Sequence, residues 1–164
     1  MKTNILAIDP GLSGTGYSFH ADHEAMPILA GSIYAPSTVT EWLDKANYIR
    51  ARLVDTILVT CITAKERLAV VIEQPSVMSS SEKGVASAGK GDVIKLSMFV
   101  GMLAATLIDN GVDSVEFVPV IVWKGQTSKY VVNKRVERIT GPLPYKAHAL
   151  DAIGIALWKM GYLK

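Results

Sequence analysis

Two short apolar segments of this chain each run into an acidic residue that is followed by a turn signal. Residues 4–8 lead into Asp9 and a Pro-Gly pair, and residues 68–72 lead into Glu73 and, two positions later, Pro75. A short apolar run that stops on an acid and then on proline or glycine is typical of a core strand that delivers one carboxylate to the edge of a sheet. Parallel neighbours bring their carboxyl ends to one rim, so Asp9 and Glu73 are predicted to meet there.

The rest of the chain alternates further strands with helical patterns. We predict strands at 4–9, 16–20, 28–34, 68–73 and 114–119, and helices at 39–65, 92–110, 129–139 and 146–160. Thr38 or Thr40 is expected to cap the first helix, and residues 74–91 are expected to form a long flexible connection. This order predicts an α/β fold with a mixed sheet and helices on its faces, built as a single domain over residues 1–164.

The last predicted helix carries a histidine and an acid that extend the set of candidate metal ligands. His148 and Asp151 are three residues apart, so they share one face of the helix. Three carboxylates packed together repel one another and lose hydration, so a cation must compensate them. Oxygen ligands suit Mg²⁺, and two ions about 4 Å apart can activate water and stabilise a leaving oxygen. The set therefore indicates metal-assisted phosphodiester cleavage.

Each of these residues also has an ordinary explanation when it stands alone. Asp9 fits a strand-ending turn, and Glu73 fits a surface position at the end of a strand. His148 fits a satisfied or solvent-facing histidine, and Asp151 fits a local cap or ion pair. The functional interpretation is favoured by the combination of two strand-end acids with a helical His-x-x-Asp.

Cysteine content and hydropathy exclude several classes of protein. The single cysteine, Cys61, rules out an internal disulfide and a cysteine-rich zinc site, and it fits a reducing compartment. The N-terminal apolar stretch meets Asp9 too early for a signal peptide, and the uncharged stretch 96–108 is too short to cross a bilayer as a helix. We therefore expect a cytoplasmic protein with no membrane partner.

Charge is divided unevenly along the chain. Residues 1–120 contain 9 Lys and Arg against 13 Asp and Glu, whereas residues 121–164 contain 8 against 2. This asymmetry fits either a C-terminal region that faces a polyanion or the solvated surface of a helix. Lys83 and Lys90, on the expected flexible connection, are candidate contacts to DNA phosphates. His20 and His23, in a predicted hairpin turn, are expected to be surface residues.

Four motifs, in this order and spacing, resemble those of RuvC-type Holliday-junction resolvases. They are Ile5-Leu6-Ala7-Ile8-Asp9-Pro10-Gly11 with Thr15-Gly16-Tyr17, Val71-Ile72-Glu73-Gln74, Lys95-Leu96 with Gly101, and His148-Ala149-Leu150-Asp151-Ala152. The short form of the chain and its Pro119…Trp123-Lys124 segment resemble the divergent phage-type members. The resemblance implies a ribonuclease H-like fold with a mixed five-stranded sheet and helices on both faces. It also implies a homodimer that uses Mg²⁺ or Mn²⁺ to nick four-way DNA junctions symmetrically, in a bacterial cell or a phage-infected host.

The resemblance also implies roles for individual residues. Asp9 would bind both ions, Glu73 would hold one of them, and His148 with Asp151 would complete the other side. Lys124 and Lys129 fall where the family places basic residues beside the scissile phosphate. The chain departs from the bacterial pattern three residues after the second acid. Many bacterial members carry an aromatic residue there that stacks into the junction, and this chain has Ser76.

Three other functions fit parts of the pattern. Another ribonuclease H-like nuclease, acting on flaps, forks or RNA–DNA hybrids, would use the same four ligands. A sugar-kinase or actin-like ATPase also has an Asp-x-Gly and Gly-Thr-Gly loop, but it needs two related lobes, for which 164 residues are too few. A non-catalytic binder of branched DNA would not need all four candidate ligands.

The predicted helix 92–110 is apolar on nearly all sides, with Lys95 and Ser97 as its main polar interruptions. A helix of this kind must be covered on nearly all sides. The sheet can cover one face, and a second copy of the chain, related by two-fold symmetry, can cover the other. Met98 and Met102 would suit such a contact because methionine is adaptable in shape. The alternative is that this helix is simply the central helix of a monomer.

Overall fold

A computed structural model of the protein describes residues 2–62, 67–76 and 91–163. Its five strands form one sheet in the order β3-β2-β1-β4-β5. Strands β1 and β2, and β2 and β3, pair antiparallel, whereas β1 with β4 and β4 with β5 pair parallel. The predicted mixed five-stranded sheet is confirmed. The strands are Thr3–Asp9 (β1), Gly14–His20 (β2), Leu29–Tyr34 (β3), Arg67–Gln74 (β4) and Ser114–Pro119 (β5).

The longer helices lie where the sequence patterns predict them, with differences at their ends. The predicted helix 39–65 is divided by a π-helical turn, and its residues 63–65 lie outside the described residues. They are Trp42–Arg52 (α1), a π-helical turn at Leu53–Leu58, Val59–Ile62 (α2), Asp92–Asp109 (α3), Val120–Trp123 (α4), Lys129–Thr140 (α5) and Ala147–Lys159 (α6). No helix in the described ranges is long and apolar enough to span a membrane.

Helices cover both faces of the sheet. Successive residues of each strand face opposite sides, so both faces carry apolar side chains that must be buried. On one side, Leu6 and Ile8 of β1 belong to a core shared with α1, the π-helical turn and α3. On the other side, Ile5 and Ala7 belong to a second core, shared chiefly with α5 and α6. The same alternation decides which side of the sheet the strand-end acids Asp9 and Glu73 face.

The first helix begins later than predicted. It starts at Trp42, with Glu41 in the N-cap position and no side-chain cap, so the expected capping by Thr38 or Thr40 is wrong. The expected basic loop after β5 also contains a short helix, α4. Pro119 precedes it with a φ of −63°, which presets the backbone for a helical start.

The prediction that His20 lies on the surface is wrong, whereas His23 is exposed as expected. His20 ends β2 and is fully buried, with its Nδ1 3.0 Å from the backbone carbonyl oxygen of Glu24. Burial lowers the pKa of His20, which favours the neutral imidazole. A hairpin turn gives no sequence signal for this burial, because His20 faces the second core through the pairing of β2 with Ile5 of β1.

Candidate active site

Asp9 and Glu73 lie side by side at the carboxyl ends of two adjacent parallel strands. The register of β1 and β4 pairs Ile8 with Ile72, so the next residue on each strand is an acid. Because side chains alternate between the two sides along each strand, both carboxylates lie on the side of the second core, where α6 packs. The structure thus places the first two predicted site residues at one rim.

Helix α6 brings His148 and Asp151 to the same rim. It packs against β1 and β2, and the approach is closest at Gly16, where a β-carbon would overlap the carbonyl oxygen of His148. Only glycine fits at this position of β2. The close packing places the first turn of α6 over the strand-end acids, so all four candidate ligands come together.

Three hydrogen bonds hold the carboxylates of this cluster. Asp9 Oδ2 lies 2.7 Å from His148 Nδ1, and Trp123 Nε1 donates to Glu73 Oε2 over 2.9 Å. The Lys129 ammonium donates to Asp151 Oδ2. The second oxygen of that carboxylate, Oδ1, is buried and has no hydrogen-bond partner in the described part of the chain.

Burial and the charge of neighbouring carboxylates raise the pKa values of Asp9 and Glu73. Burial, followed by the charge of Asp9, raises the pKa of Glu73 to about 7. Burial also raises the pKa of Asp9, and the hydrogen bond from His148 opposes this effect. The same hydrogen bond raises the pKa of His148. The cluster therefore carries negative charge that is incompletely compensated by the groups around it, and added positive charge would stabilise it.

Lys129 and Lys124 approach the cluster from the segment after β5. Ser128 accepts a hydrogen bond from the backbone N–H of Val131, which begins α5 and places Lys129 in its first turn. Lys124 Nζ lies 5.7 Å from the centre of the Trp123 ring, and its charge lowers the pKa of Glu73 against the larger effect of burial. Lys83 and Lys90 lie outside the described residues.

Trp123 is a site residue that the sequence analysis did not single out. Its indole is buried between α4 and α6, where Gly154 leaves room for the ring: a β-carbon there would lie 2.9 Å from Cζ3. The indole N–H then reaches Glu73, 50 residues away in sequence. No local pattern marks this contact, because it depends on how β4, α4 and α6 meet.

Comparison of the fold with solved structures gives full-length matches. A structure of Thermus thermophilus RuvC matches with a TM-score of 0.66 at 17% sequence identity, covering 98% of each chain. This chain has a RuvC-like fold. T. thermophilus RuvC in complex with a Holliday junction substrate matches with a TM-score of 0.63 at 16% identity, covering 99% of this chain and 98% of that one. No family model and no curated protein sequence matches the chain.

The cluster of Asp9, Glu73, His148 and Asp151 has the donor chemistry for a hard divalent cation, although its side chains are not arranged as a closed site. Within residues 2–62, 67–76 and 91–163, no three His, Cys, Asp or Glu side chains converge closely enough to hold one ion. Two observations nonetheless fit a cation. The buried Asp151 Oδ1 is unpartnered, and the Lys129 ammonium already contributes positive charge at the other oxygen of that carboxylate. Oxygen-rich sites of this kind suit Mg²⁺ or Mn²⁺.

Proposed function

We propose that this protein is a structure-selective DNA endonuclease that hydrolyses phosphodiester bonds in branched DNA, with four-way junctions as its principal substrate. The observation that carries the proposal is that Asp9, Glu73, Asp151 and His148 all lie at one rim of a RuvC-like fold. Buried acids whose pKa values are raised by burial and by neighbouring carboxylates, as those of Asp9 and Glu73 are, are costly to stability and are characteristic of functional sites.

Two further observations support DNA as the substrate. The matched T. thermophilus RuvC structure holds a Holliday junction. In this chain the excess of Lys and Arg is concentrated in residues 121–164, and two of these lysines, Lys124 and Lys129, lie beside the acids. Positive charge next to a cluster of carboxylates is suited to attract a phosphate backbone and position it there.

In the proposed reaction, water attacks the phosphorus, and the bond from phosphorus to the leaving sugar oxygen breaks. Asp9, Glu73, Asp151 and His148 would hold two Mg²⁺ or Mn²⁺ ions. When bound, such ions activate water and stabilise charge on the leaving oxygen. Lys129, released from Asp151, would move its ammonium toward the scissile phosphate, where it stabilises the charge that develops in the transition state. Trp123 keeps the Glu73 carboxylate oriented through its N–H donor.

We further propose that the enzyme is a homodimer built on α3. The face of this helix toward the sheet is buried, including Phe99, Leu103 and Leu107. Its outer face leaves Ile94 67% exposed, Met98 53% exposed and Ile108 58% exposed. A two-fold partner would cover this apolar face with the same face of its own α3. Two active sites related in this way would account for paired nicks in a two-fold symmetric junction.

The activity is tested with a panel of labelled substrates. A four-way junction, a flap, a fork, an RNA–DNA hybrid and a linear duplex are each incubated with Mg²⁺, Mn²⁺ or EDTA. We expect paired nicks in the four-way junction with either metal and none in EDTA. Similar rates on flaps and forks would broaden the specificity to branched DNA in general. Junction binding without nicking in either metal would instead indicate a non-catalytic binder.

The dimer is tested by analytical ultracentrifugation at micromolar concentration. We expect Met98→Lys to shift the wild-type dimer toward monomer, because it places a charge in the centre of the apolar face. Tyr130→Lys is the matched control, since Tyr130 is 70% exposed but lies on α5. A wild-type monomer of 17.7 kDa, alone and on a junction, would contradict the proposal.

A further inference from the structure

A groove of about 480 Å³ lies beside the candidate active site, between the turn after β1 and the N-terminal ends of α1 and α3. Ser13, four residues after Asp9, and Ser76, three residues after Glu73, both line it. Three residues of extended chain span at most about 11 Å, so the groove begins close to the acids. Its volume falls within the roughly 300–1,000 Å³ that small-ligand sites occupy.

Helix α1 supplies this groove with an aromatic ring and a positive charge. Trp42 and Lys45 both line the groove, and their spacing of three residues places them on the same face of α1. Both side chains are partly exposed. Lys45 forms no ion pair with any carboxylate that the structure describes, whereas Lys95, on the opposite wall, lies 3.9 Å from Asp92. Among the groove residues that the structure describes, Lys45 is therefore the cation that lacks a paired carboxylate.

An indole ring and an unpaired ammonium in the same groove are suited to bind an unpaired nucleotide. Bases stack on aromatic side chains whatever their identity, because every base has a π face, and lysines pair with the phosphates between them. The groove also continues from the rim where the proposed function places the scissile phosphate. A strand bound at the acids on the α6 side would cross the end of the sheet and enter the groove on the α1 side.

We propose that the groove binds one unpaired nucleotide of the substrate strand, with the base stacked on Trp42 and the adjoining phosphate paired with Lys45. This inference rests on the proposed function, because it requires a DNA strand at the acids. Unpaired nucleotides occur at branch points and are absent from an intact duplex. Occupation of the groove therefore favours branched DNA over linear duplex and contributes to substrate selection.

The base contact is tested in the Asp9→Asn background with EDTA, so that binding is measured without cleavage. The ligands are a short single-stranded oligodeoxythymidine and the same backbone with abasic nucleotides. We expect Trp42→Ala to weaken binding of the oligodeoxythymidine by about fivefold to a hundredfold and binding of the abasic strand by much less. Trp42→Phe should retain most of the affinity. Leu43→Ala is the matched control, because Leu43 is 44% exposed on α1 but does not line the groove.

The phosphate contact is tested in the same background. Lys45→Ala should weaken binding of both ligands equally. It should also reduce the slope of log affinity against log salt concentration by about one, the value for one lost phosphate contact. Lys2→Ala is the control, since Lys2 precedes β1 and lies at the opposite end of that strand from Asp9.

The outcomes separate this inference from the proposed function. If Trp42→Ala and Leu43→Ala have the same effect on both ligands, the stacking contact does not exist, even when the wild type nicks junctions. If Trp42→Ala selectively weakens the base-containing strand, the groove binds a nucleotide, even when the wild type nicks no substrate in the panel. If Trp42→Ala prefers branched DNA over linear duplex as strongly as the protein with Trp42 does, the groove has no role in substrate selection.

Discussion

Each end of helix α6 forms an ion pair between a lysine and a carboxylate, and the two pairs differ in how far the carboxylate is buried. At the N-terminal end Asp151 pairs with Lys129, and at the C-terminal end Lys159 pairs with Glu116. The Asp151 side chain is 9% exposed, whereas that of Glu116 is 45% exposed. Water completes the hydrogen bonding of the exposed pair, which contributes little to stability. The buried pair loses hydration and leaves one carboxylate oxygen unpartnered, so it costs more than an exposed pair.

The surroundings of the two ends differ in the same direction. The N-terminal end faces Asp9 and Glu73, whose negative charges repel each other. At the other end, Tyr162 donates a hydrogen bond of 2.6 Å to the backbone carbonyl oxygen of His23, which ties the C-terminal segment to the turn after β2. The N-terminal end of α6 thus lies among carboxylates that repel one another, whereas a hydrogen bond fixes the segment after its C-terminal end to the rest of the fold. Matched substitutions at the two ends can test whether this difference separates function from stability.

The largest effect is expected from the acids. Asp9→Asn, Glu73→Gln and Asp151→Asn should each lower the nicking rate by more than about a thousandfold, because each removes a charged ligand from a group that acts as a unit. Junction binding in gel-shift assays should survive. His148→Ala should be milder or change the metal preference, because imidazole is an unusual ligand for Mg²⁺. Glu116→Gln, at the other end of α6, should leave the rate unchanged. Nicking by Asp9→Asn at a rate near that of wild type would refute the assignment.

The next effect is expected from the two lysines of the α6 pairs. Lys129→Ala should slow single-turnover nicking by about a hundredfold while weakening junction affinity much less, because its charge acts on the transition state. Lys159→Ala should change neither quantity by more than about twofold. Lys124→Ala should resemble Lys129→Ala with a smaller loss. If Lys129→Ala reduced rate and affinity equally, with a lower salt slope, Lys129 would be a remote phosphate contact.

A smaller effect is expected at Trp123. Trp123→Phe keeps an aromatic ring on α4 but removes the N–H that donates to Glu73, together with the outer edge of the indole that packs on Gly154. The concentration of Mg²⁺ that gives half-maximal rate should rise about tenfold, as happens when an orienting partner of a metal ligand is lost. Trp158→Phe makes the same change near the C-terminal end of α6 and should leave this concentration unaltered. Equal metal requirements in the two variants would show that the hydrogen bond does not orient Glu73.

The smallest effect concerns stability and pH in metal-free buffer. The folded state raises the pKa of Glu73 from 4.5 to about 7, so it binds this proton more tightly than the unfolded chain does. The resulting stability is present below pH 4.5 and is lost as pH rises through about 7. Relative to Glu73→Gln, wild type should therefore lose about 2–3 kcal/mol of unfolding free energy between about pH 5 and about pH 8. Denaturant titrations of both proteins measure the difference, and a constant difference would contradict it.

The sequence by itself determined the strands, their terminal acids and the i, i+3 pair on the last helix. Asp9 and Glu73 could be found because an apolar run that ends on an acid and a turn residue is a local signal. His148 and Asp151 could be placed on one face because helix periodicity is also local. These patterns were sufficient to predict the mixed sheet with helices on both faces, which the fold confirms. The catalytic roles of the four residues, and the DNA contacts of Lys83 and Lys90, remain predictions.

Only the tertiary structure decided which side chains complete the cluster and which histidine is buried. Trp123 reaches Glu73 because three elements that are distant in sequence meet at Gly154, and no window of local sequence contains that contact. His20 is buried because β2 pairs it with Ile5, on the side of the second core, although its neighbours in sequence are typical of a surface turn. Local patterns determine which way a residue faces on its own element. Burial and long-range hydrogen bonds depend on how elements pack, which is settled by the chain as a whole.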